Sequence, residues 1–233
     1  MNLPKISKRL SAAASLARNG ARIADVGTDH AYLPIYLWLS GRVSGGVVSD
    51  INRGPVDRAK SNLRDYGCED AFFALMTDGL NGIESYSPED IFILGMGGEL
   101  IVKIINEAPW VRKGGVRLIL QPMTHPELLR KYLANEGFDV KSELLVDEDK
   151  IYHIICAEYD GATREIDELE ALFGKSNLCA PTAELYALLA RTKAVYAQRI
   201  AGKSISGADS EYEKKIVDEI DRFISNTAKE SRK

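Results

Sequence analysis

The sequence predicts an α/β protein, with a doubly wound, mostly parallel sheet over residues 1–160 and a helical hairpin over 161–233. Three observations carry that prediction. Short apolar, β-branched runs alternate with segments of helical period through Glu158, the pattern of strands joined by crossover helices. Acids or glycines close four of these runs, at Asp25, Asp50, Asp78 and the glycines after Leu94. In an open parallel sheet those positions share the carboxyl edge, where ligands bind. After Asp160 the alternation stops, and two helical segments flank a break rich in glycine and serine.

Taken in order, Ile6 to Ala17 reads as a short amphipathic helix, with Ile6, Leu10, Ala13, Ala14 and Ala17 near helical spacing and Asn19-Gly20 to end it. Arg22 to Val26 is the first strand. Tyr32 to Leu39 is a helix that tolerates Pro34 in its first turn and stops at Ser40-Gly41. A second strand, Gly46 to Ser49, ends at Asp50. Pro55 opens a third helix that runs to Tyr66, with Val56, Ala59 and Leu63 on one face and Gly67 to close it. Ala71 to Met76 is a strand ending in Thr77-Asp78-Gly79-Leu80, and Ile91 to Leu94 is a strand ending in Gly95-Met96-Gly97-Gly98. Glu99 to Ala108 is a helix, Val116 to Leu120 a strand ending in Gln121-Pro122, and Pro126 to Asn135 a helix capped by Gly137. Phe138 to Val146 and Lys150 to Glu158, joined by Asp147-Glu148-Asp149, form an antiparallel pair, as so short a connection requires.

Gly161 to Pro181 is irregular, with one weak helical stretch at Ile166 to Phe173. Glu184 to Ile200 and Glu211 to Ile224 are helical, and the break between them, Gly202 to Ser210, predicts an antiparallel hairpin. Asn226 to Lys233 reads as a fraying polar tail.

The chain has 233 residues, 45% apolar and 27% charged, as expected of a soluble globular protein. No apolar run approaches the roughly 18 residues of a membrane span, and no secretory leader is visible, so the expectation is a cytoplasmic protein. Cys68, Cys156 and Cys179 lack metal-ligand spacing and read as reduced thiols. No metal site and no protein partner are expected. The net charge of −4 argues against a general nucleic-acid coat. Yet Lys5, Lys8, Arg9, Arg18 and Arg22 precede the first acid, and Arg191, Lys193, Arg199 and Lys203 cluster later. Such local basic surfaces bind RNA on an acidic protein, or are ordinary solvated helix faces.

The centre of the chain's organisation is Arg22 to Pro34, where a strand meets a glycine turn and then a helix. Gly27 permits close approach of backbone to a ligand. A dinucleotide fingerprint needs glycines where this chain has Asp29 and Tyr32, and a carboxylate in the turn disfavours pyrophosphate. Asp25 and Asp29 suit a cationic or hydroxyl-bearing ligand. S-adenosylmethionine, with a sulfonium, an ammonium and a ribose diol but no phosphate, has that chemistry. Asp50 falls about 20 residues beyond Gly27, where an acid meets ribose hydroxyls in nucleotide folds.

Ala24-Asp25-Val26-Gly27-Thr28-Asp29-His30-Ala31-Tyr32-Leu33-Pro34, with Gly95-Met96-Gly97-Gly98 and Leu118-Ile119-Leu120-Gln121-Pro122, resembles the bacterial tRNA (adenine(22)-N(1))-methyltransferase family over nearly the whole chain. The resemblance implies a Rossmann-like class I S-adenosylmethionine-dependent methyltransferase domain followed by a coiled-coil-like helical domain. It implies tRNA as the partner and methylation of N1 of adenosine 22 as the activity. Many family members follow the Gln-Pro pair with Asn, where this chain has Met123.

On that resemblance the residues take roles. Gly27, Thr28 and His30 belong to the loop around the methionine moiety, and Asp25 accepts from the cofactor's amino group. Asp50 accepts from the ribose diol, and Ile51 packs on the adenine. Asp78 takes the adenine amino group, with Gly79 and Leu80 lining that pocket. Gly95 and Met96 lie under the sulfonium. Asp29 is the catalytic candidate, accepting from the exocyclic amino group of the target base as N1 gains charge, or else caps the following helix. Tyr32 stacks on the target base or joins the core. Gln121 and Pro122 border the substrate, and Lys5, Lys8, Arg9, Arg191, Lys193 and Arg199 grip phosphates. The competing expectations are a methyltransferase acting on a small molecule or protein, and a non-catalytic cofactor-binding regulator.

Overall fold

The computed structural model describes residues 3–230. Seven strands, β1 (Arg22–Val26), β2 (Gly45–Asp50), β3 (Phe72–Met76), β4 (Asp90–Met96), β5 (Arg117–Pro122), β6 (Phe138–Asp147) and β7 (Ile151–Tyr159), form one sheet. Their order is β3-β2-β1-β4-β5-β7-β6. The first five pair in parallel, and β7 is antiparallel to both β5 and β6. The strand order reverses between β1 and β4, so the crevice of a doubly wound sheet opens at their carboxyl ends.

The helices α1 (Lys8–Ser15), α2 (Tyr32–Leu39), α3 (Arg53–Asp65), α4 (Gly98–Asn106) and α5 (Pro126–Asn135) cover both faces. Strand periodicity assigns the side chains. Ile23, Phe92 and Ile119 join Ala13, Leu33, Ile35, Ala59 and Leu63 from α1, α2 and α3. Their strand neighbours Ala24, Ile91, Ile93, Leu118 and Leu120 join Ile101, Ile105, Leu129 and Leu133 from α4 and α5. Each fully buried Ile or Leu contributes about 1.5–3 kcal/mol, and this continuous apolar layer fixes the register that aligns the strand ends.

Helix α1 is shorter than Ile6 to Ala17, because Ser7 caps it, its hydroxyl accepting from Leu10 N at 3.3 Å. It runs opposite to β5. Arg9 near its start bonds Gln121 at the carboxyl end of β5, while Arg117 at the other end donates to Leu16 O at 3.1 Å. Just beyond, Arg18 donates from its backbone N and Nε to the two oxygens of fully buried Asp90, each at 2.7 Å. Helix α3 starts at Arg53, ahead of Pro55, which sits in the first turn where a missing N–H costs nothing. Strand β4 extends to Met96 through an irregularity at Gly95, and two short 3₁₀ turns, Ile83–Tyr86 and Pro109–Arg112, fall where the sequence pattern predicts no element.

Contacts divide the chain into two units, Met1–Glu165 and Ile166–Lys233. The second unit holds α6 (Glu168–Phe173), α7 (Lys175–Cys179), α8 (Ala183–Ser206) and α9 (Glu211–Glu230). Asp167 and Glu170 form a reciprocal capping box on α6, and α7 lies within the stretch read as irregular. Helix α8 continues through Gly202 and Ser204, so the break is only Gly207 to Ser210, and Gly207 takes the left-handed conformation that ends it. Lys193 pairs with Asp221 and Lys203 with Glu213, which sets α8 and α9 antiparallel over buried Leu185, Leu189, Ile216 and Ile220. Helix α9 runs through Asn226 to Glu230, where fraying was expected, and residues 231–233 of that expected tail lie outside the described residues. No helix among the described residues is long and apolar enough to cross a membrane.

Candidate active site

The loop after β1 is built by backbone bonds to β2. Gly27 N and Thr28 N both donate to Ser49 O, at 2.8 and 2.9 Å. The turn needs a left-handed residue, and Gly27 supplies it at φ +78°. A Cβ there would also meet the Met96 methyl, which would have to swing aside. Thr28 Oγ1 accepts from Ala31 N at 3.1 Å, closing the loop onto α2.

Asp25 is buried beneath this loop. Burial pushes its carboxyl up to about 6, against the opposing hydrogen bond from Thr28. Asp29 stands differently, exposed at the cleft rim. Arg58 of α3 donates to its Oδ1 from Nε at 3.1 Å and again from Nη2, and His30 Nε2 lies 3.1 Å from Oδ2. The Arg58 hydrogen bond holds the Asp29 carboxyl below the usual range. Asn62 Nδ2, one turn along α3, donates to His30 O at 2.9 Å. The rings of His30 and Tyr32 stack at 5.3 Å between centroids and 7° between planes. Ala31, in the left-handed region, is the residue that starts α2, and no side chain caps that helix, so Asp29 is not its cap.

Gly95 forms the facing wall. It too is left-handed, and its N–H donates to Gln121 Oε1 at 3.1 Å. The same oxygen accepts from Arg9 Nη1 at 2.6 Å. A cleft at the strand reversal is therefore lined by Asp25, Gly27, Asp29, Tyr32, Gly95 and Arg9. Asp50 and Asp78 stand beside it at the ends of β2 and β3. Asp50 Oδ1 accepts from Asn52 N at 2.7 Å, Ile51 is exposed, and Asp78 is exposed. Gly79 packs on Ile104, and Leu80 is buried in the cluster that holds Ile101 and Ile104 of α4.

The expected phosphate contacts sort unevenly. Gln121 and Pro122, expected to border substrate, are buried, and Gln121 is spent on Arg9 and Gly95 while its Nε2 donates to Pro122 O. Lys8 turns to Asp147 O, and its N–H bonds Glu148. Lys193 is occupied by Asp221 at 2.5 and 2.7 Å, which removes it from the open cations, as Glu213 at 2.7 Å does Lys203. Lys5, Arg191 and Arg199 are exposed, with Arg199 over the Tyr196 ring. Arg58 and Asn62 were not legible as site residues: they are a helix charge and a helix amide whose partners lie 29 and 32 positions earlier.

Residues 6–155 match a family model described as a methyltransferase domain. The tRNA (adenine(22)-N(1))-methyltransferase of Bacillus subtilis is 38% identical over 169 residues, covering 69% of this chain and 71% of that protein. The solved structure of the B. subtilis m1A22 tRNA methyltransferase superposes with a TM-score of 0.76 at 32% identity, over 95% of this chain and 97% of that one. A Streptococcus pneumoniae protein crystallised in complex with S-adenosyl-L-methionine superposes with a TM-score of 0.83 at 27% identity, over 93% of this chain and 99% of its own.

Proposed function

The chain belongs to the tRNA (adenine(22)-N(1))-methyltransferase family, and we infer that it methylates N1 of adenosine 22 in tRNA with S-adenosylmethionine as donor. The observation that carries this reading is the buried carboxyl of Asp25 beneath a glycine loop at the strand reversal, facing Gly95. A ligand bearing an ammonium group meets there a carboxyl shaped by burial and by Thr28 rather than by a cation. The Gly27 turn, with no side chain and the flexible end of Met96 beside it, suits the thin methionine chain of the donor. Asp50 and Asp78, at the ends of the next two strands, are assigned to the ribose hydroxyls and the adenine amino group, with Ile51 against the ring.

Bound S-adenosylmethionine supplies an electrophilic methyl group, which the N1 lone pair accepts without a strong base. The protein's task is alignment and charge stabilisation. As N1 becomes positive, the exocyclic amino group becomes more acidic. Asp29, held ionised beside Arg58, is assigned to accept from it. The His30–Tyr32 stack offers a flat surface to a base turned out of its helix. Exposed Lys5, Arg191 and Arg199 are assigned to tRNA phosphates, which gives the helical residues 161–233 an RNA-holding role. A tRNA substrate places the reaction in the cytoplasm.

The test is methyl transfer from labelled S-adenosylmethionine to unmodified tRNA, with nucleoside analysis and cofactor binding, for the wild type and Asp29→Ala. N1-methyladenosine at position 22, with turnover but not cofactor affinity lost in the variant, is the expected result. Loss of cofactor affinity moves Asp29 to the binding loop. A wild type that binds the cofactor and methylates no tRNA refutes the assignment.

A further inference from the structure

We propose that Arg9, Lys150 and Tyr152 form a phosphate-binding subsite at the mouth of the cleft, which holds the RNA strand beside the target adenosine and is positioned by Gln121. The proposal rests on the tRNA reading above.

Two cations converge on one ring. Arg9 Cζ lies 5.2 Å from the centroid of Tyr152, and Lys150 Nζ lies 5.1 Å from it. Both also reach Met123. Lys150 Nζ donates to its carbonyl oxygen at 3.3 Å, and Arg9 Nη1 lies 3.6 Å from its sulfur. Arg18, Arg58, Arg112 and Arg117 each meet a carboxylate. Arg9 and Lys150 do not: among the described residues no acid lies within ion-pair distance of either. Asp149, beside Lys150 in sequence, gives an oxygen to the Tyr152 hydroxyl at 2.8 Å. The Asp149 carboxylate acts electrostatically on both cations, yet neither is ion-paired with it, and each keeps N–H donors for an external anion.

The subsite touches the reaction centre through Gln121. Its Oε1 takes hydrogen from two obligate donors, the Arg9 guanidinium and the Gly95 N–H, while its Nε2 donates to Pro122 O at 2.9 Å. The amide is therefore fixed in one orientation and fully buried. It ties Arg9 to the loop that faces Gly27. A phosphate held here registers the strand while the neighbouring base enters the cleft.

Binding to unmodified tRNA over a KCl series, in the presence of S-adenosylhomocysteine, tests this with Lys150→Gln, Lys150→Arg, Arg9→Gln and, as a control on the exposed face of α3, Lys60→Gln. Loss of one phosphate contact lowers the log–log salt slope by about one unit and weakens binding several-fold. That loss is expected for Lys150→Gln and Arg9→Gln, with Lys150→Arg restoring the slope and Lys60→Gln leaving it intact. Wild-type affinity and slope in both neutral variants, in a protein that still methylates position 22, overturn the subsite alone. A wild type that does not methylate tRNA overturns the reading beneath it.

Discussion

The carboxylate of Asp29 and the guanidinium of Arg58 meet across the gap between the β1 loop and α3, with Nε and Nη2 of the arginine both directed at Oδ1. This pair fixes a rim carboxylate that would otherwise swing in solvent. Removing the guanidinium in Arg58→Ala lets the Asp29 pKa rise towards its ordinary value, so the acid limb of the kcat/KM profile moves to higher pH. Folding stability changes by less than about 1 kcal/mol, because the pair is exposed. A pH–rate profile alongside thermal melts separates the two effects. An unmoved acid limb removes Asp29 from the chemistry.

Asp25 makes the opposite prediction. The folded protein keeps its proton to about pH 6, whereas the unfolded chain releases it near 3.8. The folded state therefore holds more protons in that window. Its stability falls as pH rises from about 4 to 6 and is then level. Asp25→Asn is expected to raise stability near neutral pH by up to about 3 kcal/mol and to do little at pH 4. The same variant loses S-adenosylmethionine affinity, and wild-type affinity weakens as pH drops below about 6. Denaturation and calorimetry across that range decide it.

Lys193 and Arg191 sit two positions apart and are expected to behave differently. Lys193→Gln breaks the pair with Asp221 and costs up to about 1 kcal/mol of stability, leaving tRNA affinity and its salt slope nearly unchanged. Arg191→Gln leaves the melt unchanged and reduces the salt slope by about one unit. Reversed results would place Lys193 at the RNA.

Gly27→Ala meets two obstacles, a left-handed backbone and the Met96 methyl. The first costs about 1 kcal/mol, and the second is relieved only if Met96 swings away. Cofactor affinity measured by calorimetry is expected to fall at least tenfold. A further Met96→Ala change recovers part of the loss if the methyl is the obstacle.

Under α5, away from the cleft, Arg130 Nε donates to Glu143 at 2.6 Å and Nη2 lies 2.9 Å from His153 Nδ1, all three side chains being buried. Burial, with the Arg130 charge, holds His153 well below its ordinary value and therefore neutral. Arg130→Met strands the Glu143 carboxylate and is expected to destabilise by about 3–5 kcal/mol. Arg130→Met with Glu143→Leu recovers most of that in chemical denaturation.

Local signals made the sheet legible. Tyr32 to Leu39 and Pro126 to Asn135 are bounded in the sequence where they are bounded in the structure, because glycine and proline chemistry marks those ends. Asp25, Gly27 and Gly95 were legible because strand ends converge by topology. Pairings that depend on distant packing were not. Gly202 and Ser204 read as a break on propensity, yet packing against α9 keeps α8 helical. Gln121 read as a substrate neighbour, and only the structure shows its oxygen taken by Arg9 and Gly95. Lys150 and Tyr152 carried no signal apart from their place beside the turn after β6.

Helix α1 also sets a schedule. Arg9 meets Gln121 across 112 positions of sequence, and Lys8 meets Glu148 across 140. At about 5–20 residues per second on the ribosome, the β1 loop waits roughly 5–20 s for the strand that orients Arg9. The first helix made is thus among the last to dock, and its contacts raise the contact order of the whole sheet. A nascent chain halted before β5 carries the aspartates of the cleft and has no finished mouth.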